Sequence, residues 1–526
     1  MKHISHAFAI LTVFIGCYGL AEEVTSERID GTTCWIDPRL EEARQGSIKI
    51  TAWFDEQFLG DGEAYNRRIK EFYSMGRREM RQKVRALLHR ISHESQQQSR
   101  HAIQTLEKKK IIQNIIFHWI VNSFSCSINA SDVEQLTSVP GVRAIFFAGE
   151  EHRERRKNFR VSARDELSKS HPFQDGDIPV AWYIKALNVD QAWKKLGVTG
   201  TGVLNVIHDG NFIISPTILP TRYRNSLEKR NGVDDDGNGL IDDLHGFDFD
   251  RGTGNLLRND YENNRSSVGG KLLHGHQCAV IICGRTAGAP EKQFGIAPNA
   301  RWAGVLASPR SFEQAFEWAI NHDADTYSMS FSIPHLGEYR SHWRKACEHA
   351  SFCGVHLVSG AGNFAKKESP QFAPVPRQMR TPEDIPMAVF AATGVQRDLS
   401  RTPFSSQGPV EWNTYHYREG SVKKPVVSAF NFRLPSIQKD GTVIEQGASG
   451  NSFAGPMICG TIALMLSANP ELKPWETREI LASTACDIAA EGYDYQTGFG
   501  LVDAYQAVAV SLRQRKDRQK ELPTAK

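Results

Sequence analysis

The sequence predicts an α/β protein: a doubly wound parallel sheet with helices on both faces, preceded by a small α+β domain. Two patterns carry this expectation. From Ala181 to about Leu512, short apolar runs alternate with helical segments, the sign of βαβ units stacked around a sheet covered on both sides. From Ser47 to Phe147 strands and helix occur without that alternation, and a charged stretch from Glu150 to Ser170 separates the two regions. Composition sets the frame. A chain of 526 residues, 40% apolar and 23% charged, is long enough for several folded domains and too apolar to be disordered. Lys+Arg of 63 against Asp+Glu of 60 gives a net charge of +3, too balanced to imply nucleic acid or an anionic membrane as the main partner, and neither is expected.

In chain order, Lys2 and His3 precede an apolar run from Ala7 to Leu20, and the small residues Gly19 and Ala21 end it. This reads as an export signal cleaved after Ala21. No later window of about 20 apolar residues predicts a transmembrane anchor. Residues 22–150 form the α+β domain: Ile48–Phe54 alternates as a strand, Tyr65–Lys110 reads as a solvated helix, and Ile115–Ile128 and Val142–Phe147 are strand-like. Residues 151–178 are a charged linker, with Arg155-Arg156-Lys157 an exposed place for cutting. Residues 179–512 carry the parallel sheet, with strands expected at Val203–Ile207, Trp302–Leu306, Thr326–Phe331, Val355–Ser359, Met387–Ala391 and Pro425–Ser428. Helices are expected at Ser311–Asn321, Glu338–Ala350, Phe453–Ala468 and Trp475–Thr484, and residues 513–526 as a charged tail. The cysteines beyond Cys17 lack the paired spacing of a zinc site, and their pairing is open.

Four side chains stand where such a sheet puts chemistry, at the carboxyl ends of strands or at a helix start. Asp209 ends the strand that begins at Gly202. His274 opens His274-Gly275-His276-Gln277-Cys278, ahead of a buried apolar helix. Asn363 closes Ser359-Gly360-Ala361-Gly362-Asn363 after another strand, where its amide is either a turn former or a donor to an oxyanion. Ser452 precedes a long apolar helix, where a serine is either an N-cap or a nucleophile served by free backbone N–H groups.

The order Asp…His…Ser and the segments around it resemble the subtilase family, with bacillopeptidase F-like and kexin-like features. Gly200-Thr201-Gly202 through Asp209 matches the family's aspartate block, and His274-Gly275 with Cys278-Ala279 its histidine block in the cysteine-bearing form. Gly295-Ile296-Ala297-Pro298, Phe404-Ser405-Ser406-Gln407-Gly408-Pro409, Gly450-Asn451-Ser452-Phe453-Ala454-Gly455-Pro456 and Gly498-Phe499-Gly500-Leu501-Val502-Asp503-Ala504 resemble its other blocks. The resemblance runs from Trp182 to Ala509. It departs at Asp209-Gly210-Asn211, where an alternative alignment puts His208 in the aspartate position, and at His276 and Asn451, which stand where the family has threonine.

The resemblance implies a subtilisin-like sheet and a secreted or periplasmic serine endopeptidase acting on polypeptides. Asp209, His274 and Ser452 would form its triad and Asn363 its oxyanion donor, and the protein would be a monomer. Ser330, Phe331, Ser332, Gly360, Ala361 and Gly362 would bind substrate. The upstream domain resembles the family's propeptide, an intramolecular inhibitor and folding aid. The alternative is an inactive subtilase fold that binds or regulates, which the altered motifs motivate. A structural Ca²⁺ is expected at Asp234, Asp236, Asn238 and Asp242, whose spacing sets oxygen ligands around a glycine turn, although His245 stands where a closing glutamate belongs.

Overall fold

In a computed structural model of the chain, the described residues are 24–29, 33–42, 46–148, 181–210, 212–256, 274–285, 293–309, 311–438 and 441–521. The expected export signal, the charged linker with Arg155-Arg156-Lys157, and Asn211 lie outside them.

The N-terminal body contains β1 (Trp35–Ile36), β2 (Ser47–Phe54), α1 (Arg77–Lys108), β3 (Ile112–His118), β4 (Ser123–Asn129) and β5 (Val142–Phe147). Its sheet has the order β1-β5-β2-β4-β3, antiparallel except for β1 against β5. Two expectations change here. The apolar stretch Ile115–Ile128 is two strands, β3 and β4, because Ile120 and Val121 turn inward between them and are buried. The long helix is interrupted and restarts after Gly76. It is also only partly solvated: Met80, Val84, Leu88 and Ile91 are buried along one face at helical spacing, and Arg77 and Arg81 are buried with them.

The second body is built on one seven-stranded parallel sheet. Its elements are β6 (Leu204–His208), β7 (Gly246–Asp248), α2 (His274–Cys283), β8 (Arg301–Leu306), α3 (Phe312–Asn321), β9 (Thr326–Met329), α4 (Arg340–Phe352), β10 (His356–Gly360), β11 (Val389–Val395), β12 (Val427–Phe430), α5 (Asn451–Ala468) and α6 (Ala504–Glu521). The strand order is β12-β11-β10-β9-β6-β8-β7. Every pairing in it is parallel. β6, β9, β10 and β11 are buried along their whole length, as a sheet covered on both faces requires. α5 is apolar all round and lies in the core rather than on a surface. The chain places β8 on one side of β6 and β9 on the other, so a crevice opens at the carboxyl end of β6. The expected tail is helical as far as Glu521: Arg515 and Arg518 donate to the carbonyls of Ala468 and Glu471, the acceptors left at and beyond the end of α5.

The two bodies share one apolar core. Trp53, Phe58, Phe72 and Met80 from the first cluster with Tyr327, Trp343, Cys347 and Phe352 from the second. Polar contacts cross the same seam. Arg77 Nη2 donates to Asp325 (2.6 Å), Trp53 Nε1 to His342 Nδ1 (2.7 Å), and the backbone N–H groups of Trp119 and Ile120 to Glu317 (2.6 and 3.0 Å). All eight cysteines among the described residues are free thiols.

Candidate active site

The carboxyl edge of the sheet brings the expected residues together. β6 runs directly into Asp209, whose Oδ1 accepts the Gly210 N–H (2.7 Å) and whose Oδ2 lies 2.7 Å from His274 Nδ1. A carboxylate can only accept, so Nδ1 carries the proton and Nε2 is left as the basic nitrogen. His208, the alternative, faces away. It is buried, with Nε2 2.9 Å from the Ala307 carbonyl and Nδ1 3.0 Å from the Tyr327 hydroxyl. The strand's period of two separates these neighbours. Burial lowers the pKa of His274, but the charge of Asp209 and the hydrogen bond to it outweigh burial and hold it above 6.5.

Ser452 sits in the first turn of α5, where backbone N–H groups lack helical partners. Two glycines make this approach possible. Gly450 has φ 141°, a conformation L side chains rarely adopt, and a Cβ on Gly360 would lie 2.1 Å from the Asn451 carbonyl oxygen. Asn363 is held from the other side: its Oδ1 accepts the Asn451 N–H at 2.9 Å, which leaves the Nδ2 donors to the cleft. Ser452 Oγ and His274 do not form a hydrogen bond. They are linked through Phe453, whose ring lies 5.5 Å from that of His274, and through Cys278, whose Sγ is 3.7 Å from both Asp209 Oδ2 and the Ser452 carbonyl.

Sequence reasoning missed the network that fixes this turn. Asn451, where the resembled family has threonine, is fully buried. It donates to Gly362 O (2.5 Å) and Ser405 Oγ (3.0 Å) and accepts from Asn431 Nδ2 (2.7 Å), which in turn reaches Thr402 (2.8 Å). The departure thus has a full set of partners. His276 is likewise satisfied, against Ser215 Oγ at 2.8 Å, and burial lowers its pKa to about 4.

A cleft of about 310 Å³ opens beside Ser452, lined by Ser330, Phe331, Ser332, Gly360, Gly362 and Asn363 among others. Ala361 is the exception among the expected binding residues. It points into the core because alternate residues of a strand face opposite ways. Phe364, Gln371 and Arg380 complete the wall, and no sequence motif marked them.

The acidic loop divides the expected cation ligands. Asp234 and Asp236 stand with Glu228, with ligand atoms within 4.8 Å of one another. Asp242 instead accepts the N–H groups of Asn231 and Gly232, and Asn238 Nδ2 donates to Asp243. Glu228 was not foreseen because it lies outside the alternating motif. It is buried, its Oε1 accepts the Asp235 and Asp236 N–H groups, and its Oε2 has no donor among the described residues.

Comparison with known proteins agrees with the fold. The family described as "Subtilase family" matches residues 206–500, more than half of the chain. Bacillopeptidase F of Bacillus subtilis is 24% identical over 443 residues, covering 79% of this chain and 28% of its own length. Serine protease AprX of the same organism is 26% identical over 233 residues (40% of this chain, 51% of the relative), and subtilisin DY of Bacillus licheniformis 26% over 221 residues (41% and 70%). The crystal structure of MycP1 from Mycobacterium smegmatis aligns with a TM-score of 0.46 at 20% identity, covering 64% of this chain and 88% of that one.

Proposed function

Because the chain belongs to the subtilase family of serine proteases, we propose that it is an endopeptidase that attacks peptide carbonyls with Ser452. The observation that carries this reading is the 2.7 Å contact between Asp209 and His274, joined through Phe453 and Cys278 to the turn that sets Ser452 in the cleft. In the reaction, His274 Nε2 takes the Ser452 proton as Oγ adds to the carbonyl carbon, and Asp209 stabilises the imidazolium that forms. The Asn363 amide and the Ser452 N–H at the start of α5 donate to the oxyanion. His274 then returns the proton to the leaving amine, and water adds to the acyl-enzyme by the reverse route.

The N-terminal body acts as an inhibitory propeptide, and the protein is exported as a zymogen. Support comes from the shared core between the bodies and from β5, which runs past the Gly337–Tyr339 turn three residues beyond Pro334, itself on the cleft wall. Export rests on the basic and apolar start of the sequence.

A fluorophosphonate probe tests the catalytic claim. The wild-type chain, once freed of its N-terminal body, should be labelled and should hydrolyse casein. Ser452→Ala, His274→Ala and Asp209→Asn should lose most of that activity while keeping their circular dichroism, with double variants little worse than singles because the groups act as a unit. A chain that is folded, free of its N-terminal body and still neither labelled nor active would be the inactive binding protein instead.

Calcium is the proposed structural ion, held by Glu228, Asp234 and Asp236. Support comes from the buried Glu228 oxygen without a donor, which suits a hard cation. Calcium should raise the melting temperature of the Ser452→Ala chain relative to chelator, and Glu228→Gln should abolish that rise.

A further inference from the structure

Among the described residues that line the cleft beside Ser452, one carries a charge. Ser330, Ser332, Asn363, Phe364 and Gln371 are neutral, and Arg380 is a cation. Arg380 comes from the loop between β10 and β11 and is half-buried. Its guanidinium stacks on Phe364, 3.7 Å from the ring centroid, which fixes its plane. Its polar partner among the described residues is the Gln371 carbonyl, 3.4 Å from Nη2, and a guanidinium has five donors.

The nearest candidate counter-ion is spent elsewhere. Glu383, one turn further along the chain, is fully buried behind the wall; its Oε1 accepts the Ser332 hydroxyl at 2.6 Å and its Oε2 has no donor among the described residues. Burial pushes its pKa up to about 8, so at neutral pH it is largely uncharged. The cleft therefore presents a positive, geometrically fixed fork whose one side-chain hydrogen bond among the described residues goes to a carbonyl, with the buried, largely uncharged Glu383 as its electrostatic neighbour. A carboxylate matches that fork in charge and in spacing.

We propose that this cleft selects an aspartate or glutamate side chain at the residue whose carbonyl is attacked, with Arg380 as the recognition group. The proposal rests on the peptidase reading above. That residue is the one concerned because the cleft wall includes both Ser452 and the oxyanion donor Asn363, between which its carbonyl must sit.

The test uses the full chain after release of its N-terminal body and peptide p-nitroanilides of one sequence ending in Glu, Asp, Gln, Phe or Lys. The Glu and Asp substrates should exceed Gln in kcat/KM by about tenfold to a hundredfold, the range for a charge-assisted bond. Arg380→Gln should collapse the Glu:Gln ratio to near one, and Arg380→Glu should invert it in favour of Lys. Arg380→Lys keeps the charge without the fork and should retain part of the preference. A preference for Phe or Lys that the Arg380 variants leave unchanged would overturn the proposal, the Lys case pointing to Glu383 instead. Fluorophosphonate labelling in the same samples separates the two failures: labelled enzyme without acidic preference refutes this inference alone, and unlabelled, inactive enzyme refutes both readings.

Discussion

Lys345→Met tests how the two bodies hold together. Lys345 lies on α4 of the parallel-sheet body with its side chain fully buried. Its ammonium donates to the carbonyls of Leu59 and Gly60, both at 2.9 Å, and to Asp61 at 3.2 Å, and it lies 4.9 Å from the centre of the Trp53 ring. All of these partners belong to the N-terminal body. Methionine keeps most of the stem's packing and removes the charge, so two buried carbonyls and one oxygen of Asp61 lose their donor. Two hydrogen bonds to a charged group are worth about 1.5–3 kcal/mol each. Removing one partner of a buried pair costs about 3–5 kcal/mol in all, and this smaller figure is the one to expect because the wild type also bears the cost of desolvating the ammonium. Docking should therefore weaken by roughly a hundredfold to a few thousandfold. Burial pushes the Asp61 carboxyl up, but Lys345 and His416 together hold it below the usual aspartate range, so its pKa should rise in the variant. Amide hydrogen exchange in a Ser452→Ala background reads the effect directly. β2 and β5 should exchange faster by the stated factor while β6 and β9 keep their protection. Unchanged protection at β2 and β5 would refute the reasoning, and an equal loss across both bodies would show that docking is not a separate step.

The remaining expectations concern the site. Asn363→Ala should lower kcat by about 10²–10³ with little change in KM, because it removes one oxyanion donor; an equal rise in KM would assign Asn363 to substrate binding. A pH profile should show kcat/KM falling as pH drops through a value above 6.5, where His274 gains the proton that ends its role as base. Asp209→Asn should move that limb to lower pH, since the raising charge is gone, and should cost about 10⁴ in rate; a limb that stays in place would separate it from His274. Cys278 is buried between Asp209 and Ser452, and burial together with Asp209 raises its pKa, so a mercurial should react slowly and inactivate. Cys278→Val should keep activity and resist the reagent; persistent sensitivity would point to exposed Cys486 or half-buried Cys34.

The sequence by itself determined the sheet and the short list of reactive side chains. Buried parallel strands must be continuous apolar runs, and β6, β8, β9 and β10 fall within a residue or two of the runs that predict them. Asp209 and His274, each followed by glycine, and Ser452, two residues after Gly450, stood out because local backbone demands are written in local residues. Only the tertiary structure decided which groups meet. It turned Asp209 rather than His208 toward His274, sent Ala361 into the core between two cleft-facing glycines, and set Glu228 beside Asp234 and Asp236. It also buried Arg77 and Lys345, which composition reads as surface residues, against partners 248 and more residues away in the chain. Arg380 and Glu383 belong to the same class, since they lie in no motif and gain their meaning from the neighbouring Phe364 and Ser332. A periodic pattern records which face of an element is apolar. The partner of a buried charge is fixed by how distant elements pack, and no local window of the sequence contains that information.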